Sequence, residues 1–167
     1  NYGEKNKVNF ENLNGIVGIF GKNFSGKSSI IDSLLMTVYN SISKNSRKNL
    51  NTINQNKSDA KGRAKIKVGN IIYTIDRSVE KYTKKLKGAE TVEAKTDVDF
   101  FSYDTVADVT TSHNGLTRND TDKNIRKDFG VLDDFLLTSM ASQNGALTFI
   151  NEGSTKRKEI LAKFLDL

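Results

Sequence analysis

Cysteine is missing from this chain of 167 residues, which excludes disulfides and thiolate metal sites and leaves a cytosolic setting open. Proline is missing too, while Lys and Asn are frequent, a bias that fits a skewed genome. No apolar run approaches the ~18–20 residues of a membrane-spanning helix. The opening residues do not read as a secretory leader, so no membrane partner is expected. Histidine occurs once. His113 lies in polar sequence, where an exposed position is expected rather than metal ligation, and no His/Asp cluster of a two-metal nuclease is visible. What is left is one domain's length, 36% hydrophobic and 28% charged, enough to bury a core.

The net charge of +6 is unevenly spread: residues 43–90 carry 13 Lys/Arg against 4 Asp/Glu, and the remainder 13 against 16. A basic middle section either meets phosphate backbones or forms a solvated, Lys-rich face.

Hydrophobic period places the elements. Residues 1–14 read as an extended start, with Val8 and Phe10 alternating with polar neighbours. Ile16, Val17, Ile19 and Phe20 suit a strand buried on both faces of a parallel sheet. From Ser28 the period changes, and Ile30, Ile31, Leu34, Leu35, Val38 and Ile42 predict a helix of about four turns. A long polar connection over 43–62 follows. Strands over 64–68 and 71–79 joined at Gly69-Asn70 predict an antiparallel hairpin. Further strands are expected in 91–106, where Val98, Phe100 and Phe101 need burial. Residues 110–124 read as polar loop, 121–129 as a helix ending at Gly130, and 131–142 as another. A last helix, capped by Ser154 or Thr155, carries Ile160, Leu161, Phe164 and Leu165 on one stripe.

Between the first strand and the first helix lies GKNFSGKS, residues 21–28, which fits G-x-x-x-x-G-K-[ST] in the context that gives the motif meaning. Chance would place such a match in about one chain of this length in a hundred. Gly21 and Gly26 allow a backbone path that points consecutive N–H groups inward. The helix start adds its unsatisfied N–H groups and positive dipole end. Lys27 should reach the β- and γ-phosphates, and the Ser28 hydroxyl should ligate Mg²⁺, a hard cation that prefers oxygen. Ser29 offers a further donor.

The P-loop alone does not choose among nucleotide machines. Residues 143–165, QNGALTFINEGSTKRKEILAKFL, resemble the Q-loop and following helix of the SbcC-type ATPases, the Rad fifty family of double-strand-break repair. Gln143, Phe149-Ile150, Arg157 and Ile160-Leu161 stand at the matching places. NYGEKNKVNFENLNGIVGIFGKN resembles that family's opening strands and loop, and GNIIYTIDRSVEK its antiparallel strands, with Arg77 at the usual arginine. FGVLDDFLLTSMASQ resembles the helix running into the glutamine. The resemblance covers nearly all the chain apart from 40–60 and 85–120, and the variant loop looks like those of phage-encoded relatives.

The resemblance implies an α/β fold of the P-loop NTPase class: lobe I of an ABC-type ATPase head, with a mixed sheet, an antiparallel β-subdomain and helices leading to a coiled coil. Residues 1–167 would be the N-terminal half of that head, with the coiled coil and C-terminal lobe outside them. Asn23, Ser25, Gly26, Lys27, Ser28 and Ser29 would line the phosphates of ATP, and Gln143 would contact Mg²⁺ or the attacking water. Lys27 and Gln143 would then be the catalytic residues of this half, with Ser28 and Gln143 at the metal. Ile53 or Gln55 would approach the base. Phe24 stands where the family usually has glycine, and the family's phosphate-binding arginine falls just before Asn1.

An ATPase of this class also needs an acid pair ending an apolar strand, and a serine-glycine-glycine signature. VDFFSYD is the nearest approach to the first, but Asp104 has no second acid beside it, and the signature is not found. Half a nucleotide site is therefore expected, able to hydrolyse ATP only when completed. The implied partners are its own C-terminal lobe, a second copy of the head, an SbcD-like metallophosphoesterase nuclease and double-stranded DNA, in the cytoplasm at the nucleoid. An SMC- or RecN-like DNA tether without a nuclease, or a self-contained P-loop kinase or GTPase, are the competing readings.

Overall fold

A computed structural model describes residues 13, 15–23, 25–42, 49–86, 89–139 and 152–164. The chain divides into two compact units, Asn1–Arg126 and Lys127–Leu167.

In the first unit, helix α1 spans Lys27–Tyr39 and ends on Asn40, whose left-handed backbone (φ 54) returns its N–H to Met36 O at 3.0 Å. A single 3-10 turn at Asn49–Thr52 follows. Then come β1 (Asp59–Val68), β2 (Ile71–Leu86), β3 (Ala89–Asp104) and β4 (Val109–Ser112), a sheet in sequence order. Each neighbouring pair is antiparallel. The hairpin expected at Gly69-Asn70 is there, with Val68 paired to Ile71, and its strands run longer than periodicity indicated. Helix α2, Arg118–Phe129, closes this part of the chain.

Strand alternation puts Ile71, Tyr73, Ile75, Arg77 and Val79 of β2 on one face. Their register partners continue it: Ala64 and Phe100 flank Ile75, while Gly62 and Val98 flank Arg77. Leu35, Ile75, Val79 and Phe100 are wholly buried and Ile125 nearly so, each side chain contributing about 1.5–3 kcal/mol of apolar burial. Met36, Ile53 and Val79 form one cluster, with Ile42, Ala60 and Ala94 at its margin. The opposite face of β1 carries Lys61, Arg63, Lys65 and Lys67, all exposed.

Four expectations need correction. The expected mixed sheet is, among the described residues, a purely antiparallel one. Residues 16–20 pair with no strand there, and Ile16 and Phe20 are 106% and 94% exposed, because an apolar run becomes a buried strand only where a neighbour supplies the ladder. The stretch expected to be loop over 110–124 holds β4 and the first turns of α2. His113 is also half-buried rather than exposed: its Nε2 lies 2.7 Å from Ser102 Oγ and its ring 4.8 Å from that of Phe100.

In the second unit, Gly130 (φ 74) ends α2 as expected. Helix α3 covers Leu132–Thr138 and begins with the Asp134 carboxylate accepting the Val131 N–H at 3.2 Å. Helix α4 covers Ser154–Phe164. Leu161 of its expected apolar stripe is 47% exposed. Ile160, Phe164 and Leu165 lie outside the described side chains.

Gly62 sets the depth at which α1 meets the sheet. A Cβ there would fall onto Thr37 Oγ1, well inside contact distance, and that hydroxyl is already tied to Ser33 O at 2.7 Å. Gly62→Ala is expected to cost about 1–3 kcal/mol through overpacking, read as a lower urea midpoint with unchanged slope. An unchanged midpoint would show that Thr37 moves aside freely.

Candidate nucleotide site

The loop over residues 21–26 is closed by Gly26, at φ 91 and ψ 15, immediately before Lys27 opens α1. A side chain is strained at that angle, so glycine is a backbone requirement here. Ser25 N–H donates to Lys22 O at 3.2 Å and Ser29 N–H to Gly26 O at 2.9 Å, two turns that fold the loop tightly. Lys27 folds back along it, donating from Nζ to Gly21 O at 2.8 Å and to Lys22 O at 2.7 Å. These are ordinary carbonyls. A polyphosphate would offer the ammonium a charged partner and the stronger hydrogen bond.

Both ends of α1 lack the side chains that usually compensate a helix dipole. Its first turn has no acidic residue and its N-cap no side-chain hydrogen bond; its last turn has no basic residue. The front end is therefore ready for an anion from outside. Asn23, Ser25, Ser28 and Ser29 are exposed beside it, and Gly26 and Lys27 half-buried. This donor set fits ATP with Mg²⁺: one hydroxyl for the metal, an ammonium and backbone donors for phosphate. No group of three His, Cys, Asp or Glu among the described residues could hold a metal alone. Mg²⁺ does not need one, since phosphates and waters fill most of its shell.

The rear end is compensated from another strand. Arg77, 1% exposed on β2, donates from Nε to Thr37 O at 2.8 Å and from Nη2 to Val38 O at 3.4 Å. The same Nη2 lies 2.6 Å from Asp122 Oδ1 on α2. Nη1 has no partner. Sequence reading marked Arg77 only by resemblance and missed Asp122 altogether. A signal was present: Arg77 falls in the apolar phase of β2 between Ile75 and Val79, and a core arginine demands an acid.

Not every expected residue comes together. Ile53 is 5% exposed and packed with Met36 and Val79, beside the last turns of α1, about 13 Å along the helix from Lys27. Its surface is committed to that core. Gln55 is exposed, and its carbonyl accepts from Lys81 Nζ at 3.3 Å, together with those of Asn54 and Lys57. Phe24, Gln143, Phe149 and Ile150 lie outside the described residues. Asp104 is spent on a turn: Oδ1 accepts the N–H groups of Ala107 and Val106 at 3.1 and 2.8 Å, which hold its carboxyl below the usual range.

Residues 1–166 match the AAA domain family. The chain belongs to it. The match supports the N-terminal region of an SMC-like, P-loop ATPase, with the nucleotide and Mg²⁺ use general to AAA ATPases. The chain is also 29% identical over 171 residues to "Uncharacterized protein R555" of Acanthamoeba polyphaga mimivirus, covering 99% of this chain and 12% of that protein. It thus spans about an eighth of the length of that relative. Among the described residues, no helix is long and apolar enough to cross a membrane.

Because Gly26 holds φ 91, Gly26→Ala is expected to lower stability by about 1–2 kcal/mol. Chemical denaturation measures this directly, and wild-type stability would mean that the loop adopts another path.

Proposed function

We propose that this chain is the ATP-binding lobe of an SbcC-like DNA-processing ATPase, supplying the phosphate cradle while the catalytic acids and signature come from a second lobe and a second head. Head closure on ATP would gate DNA for an SbcD-like metallophosphoesterase. The observation that carries the reading is the front of α1: a left-handed glycine, an ammonium folded over the loop, exposed hydroxyls and no acid in the first turn. Asn23, Ser25, Gly26, Lys27, Ser28 and Ser29 line the phosphates, Ser28 ligates Mg²⁺, and Gln143 positions the attacking water.

Two further observations support the idea of a half-site. Asp104, the nearest acid to an apolar strand end, is engaged by its own turn. Ile16, Val17, Ile19 and Phe20, which lead into the loop, are exposed, and a strand from the second lobe would cover them. Mg-ATP titration tests the core of the proposal. The chain should bind ATP and lose that binding on Lys27→Ala, and it should turn ATP over only when the segment bearing the acid pair and signature is added. Rapid turnover by the chain alone would favour the self-contained kinase or GTPase instead.

DNA contact has its own support. Lys61, Arg63, Lys65 and Lys67 stand on one exposed face of the edge strand β1, at intervals of about 6.8 Å. Arg63 is held by Asp76, with Nη2 to Oδ2 at 2.8 Å, and Lys61 lies 3.8 Å from Asp59. Lys65 and Lys67 have no carboxylate partner among the described residues, so they are the pair most ready for phosphate. Lys65→Ala with Lys67→Ala is expected to reduce the slope of log affinity for duplex DNA against log salt by about 2. An unchanged slope would remove this face from the interface.

A further inference from the structure

Helix α1 is held to the rest of the first unit by its rear half. Its buried residues are Leu35, Met36, Thr37 and Val38. In the front half Ser28 and Ser29 are exposed, and Ile31 and Leu34 are 38% and 39% exposed. A helix of this length is a rigid rod of about 20 Å. Anchored at one end, it presents the other at an angle fixed by the anchor. Part of that anchor is apolar and tolerant of small shifts. The directional part is Arg77, whose guanidinium meets the Thr37 and Val38 carbonyls, with Asp122 holding the same Nη2 that reaches Val38. Gly62, the register partner of Arg77, leaves the space in which Thr37 sits.

We propose that Arg77 is the positioning residue of the phosphate loop, with Asp122 as its counter-charge. The guanidinium fixes the rear of α1 on the sheet, and thereby the depth and angle at which Lys27, Ser28 and the first-turn N–H groups meet phosphate. Neither Arg77 nor Asp122 touches the nucleotide. The inference rests on the nucleotide-binding reading above. It adds that binding at the front of α1 and the Arg77–Asp122 grip at its rear are linked, each strengthening the other. The second arm of the link is α2, so nucleotide should also tighten the turn of α2 around Asp122.

A purely structural role is separable from a positioning role because buried ion pairs are weak sources of stability. Removing one partner strands a buried charge, whereas replacing both with apolar side chains is often neutral or stabilising. The test compares wild type, Arg77→Lys and the double variant Arg77→Met with Asp122→Leu, by urea denaturation and by Mg-ATP titration. The double variant is expected to keep the wild-type urea midpoint and to bind ATP about fivefold or more weakly. Arg77→Lys, with the charge but a single-point donor, falls between. A folded double variant that binds ATP as wild type does overturns the positioning role and leaves the ATP site standing. A wild-type chain that binds no ATP overturns both. Hydrogen exchange on the wild type gives an answer that needs no variant: ATP should slow exchange at the last turn of α1 and around Asp122, and unchanged exchange at both places overturns the linkage.

Discussion

A helix whose two ends must be compensated from elsewhere is the constraint on which this molecule turns. Helix α1 brings no acid to its front and no base to its rear. The rear is completed inside the fold, where an arginine from β2 takes the place of the last-turn lysine a free-standing helix would use. The front is left to an external anion. The asymmetry gives the fold its direction, since the completed end is buried and the incomplete end opens on the loop of a P-loop ATPase.

Burying Arg77 is costly, several kcal/mol for the ion alone before any partner is counted. Against this stand the Asp122 carboxylate at 2.6 Å and two carbonyl acceptors. Among the described residues Nη1 has no partner, so within them the compensation is incomplete. Stability therefore comes chiefly from the apolar layer around Leu35, Ile75, Val79 and Phe100. The ion pair supplies direction, which an apolar layer does not. Aliphatic packing fixes how far α1 sits from the sheet, and hydrogen bonds fix how it is turned.

How much of this was legible in the sequence depends on whether a residue's fate is decided locally. The β1–β2 hairpin was readable because alternation and Gly69-Asn70 are local signals, and α1 because its period is. Strand β4 was not: all four residues of Val109–Ser112 are exposed, and they form a strand only because β3 lends a ladder. His113 follows from β4. Once the strand is paired, the next residue turns inward to Ser102 and Phe100, although its neighbours are polar. Asp122 was hidden for a related reason: its helix was readable over 121–129, but nothing local marks one acid of a polar stretch as the partner of a buried arginine 45 residues earlier. The phosphate loop was the most legible part, because backbone geometry forces its glycines and chemistry forces its lysine.

The segment just before the loop shows where legibility reverses. Ile16, Val17, Ile19 and Phe20 have the composition of a central strand, and the structure leaves them unpaired and exposed among the described residues. Composition states what a segment requires, whereas pairing depends on what lies beside it. A self-contained kinase or GTPase would satisfy that requirement within its own sheet. In the reading favoured here another lobe satisfies it, and the strand that covers Phe20 would belong to the polypeptide that brings the missing acids to the loop. One apolar surface and one incomplete site would then have a common cause, so covering the first and completing the second should be a single event.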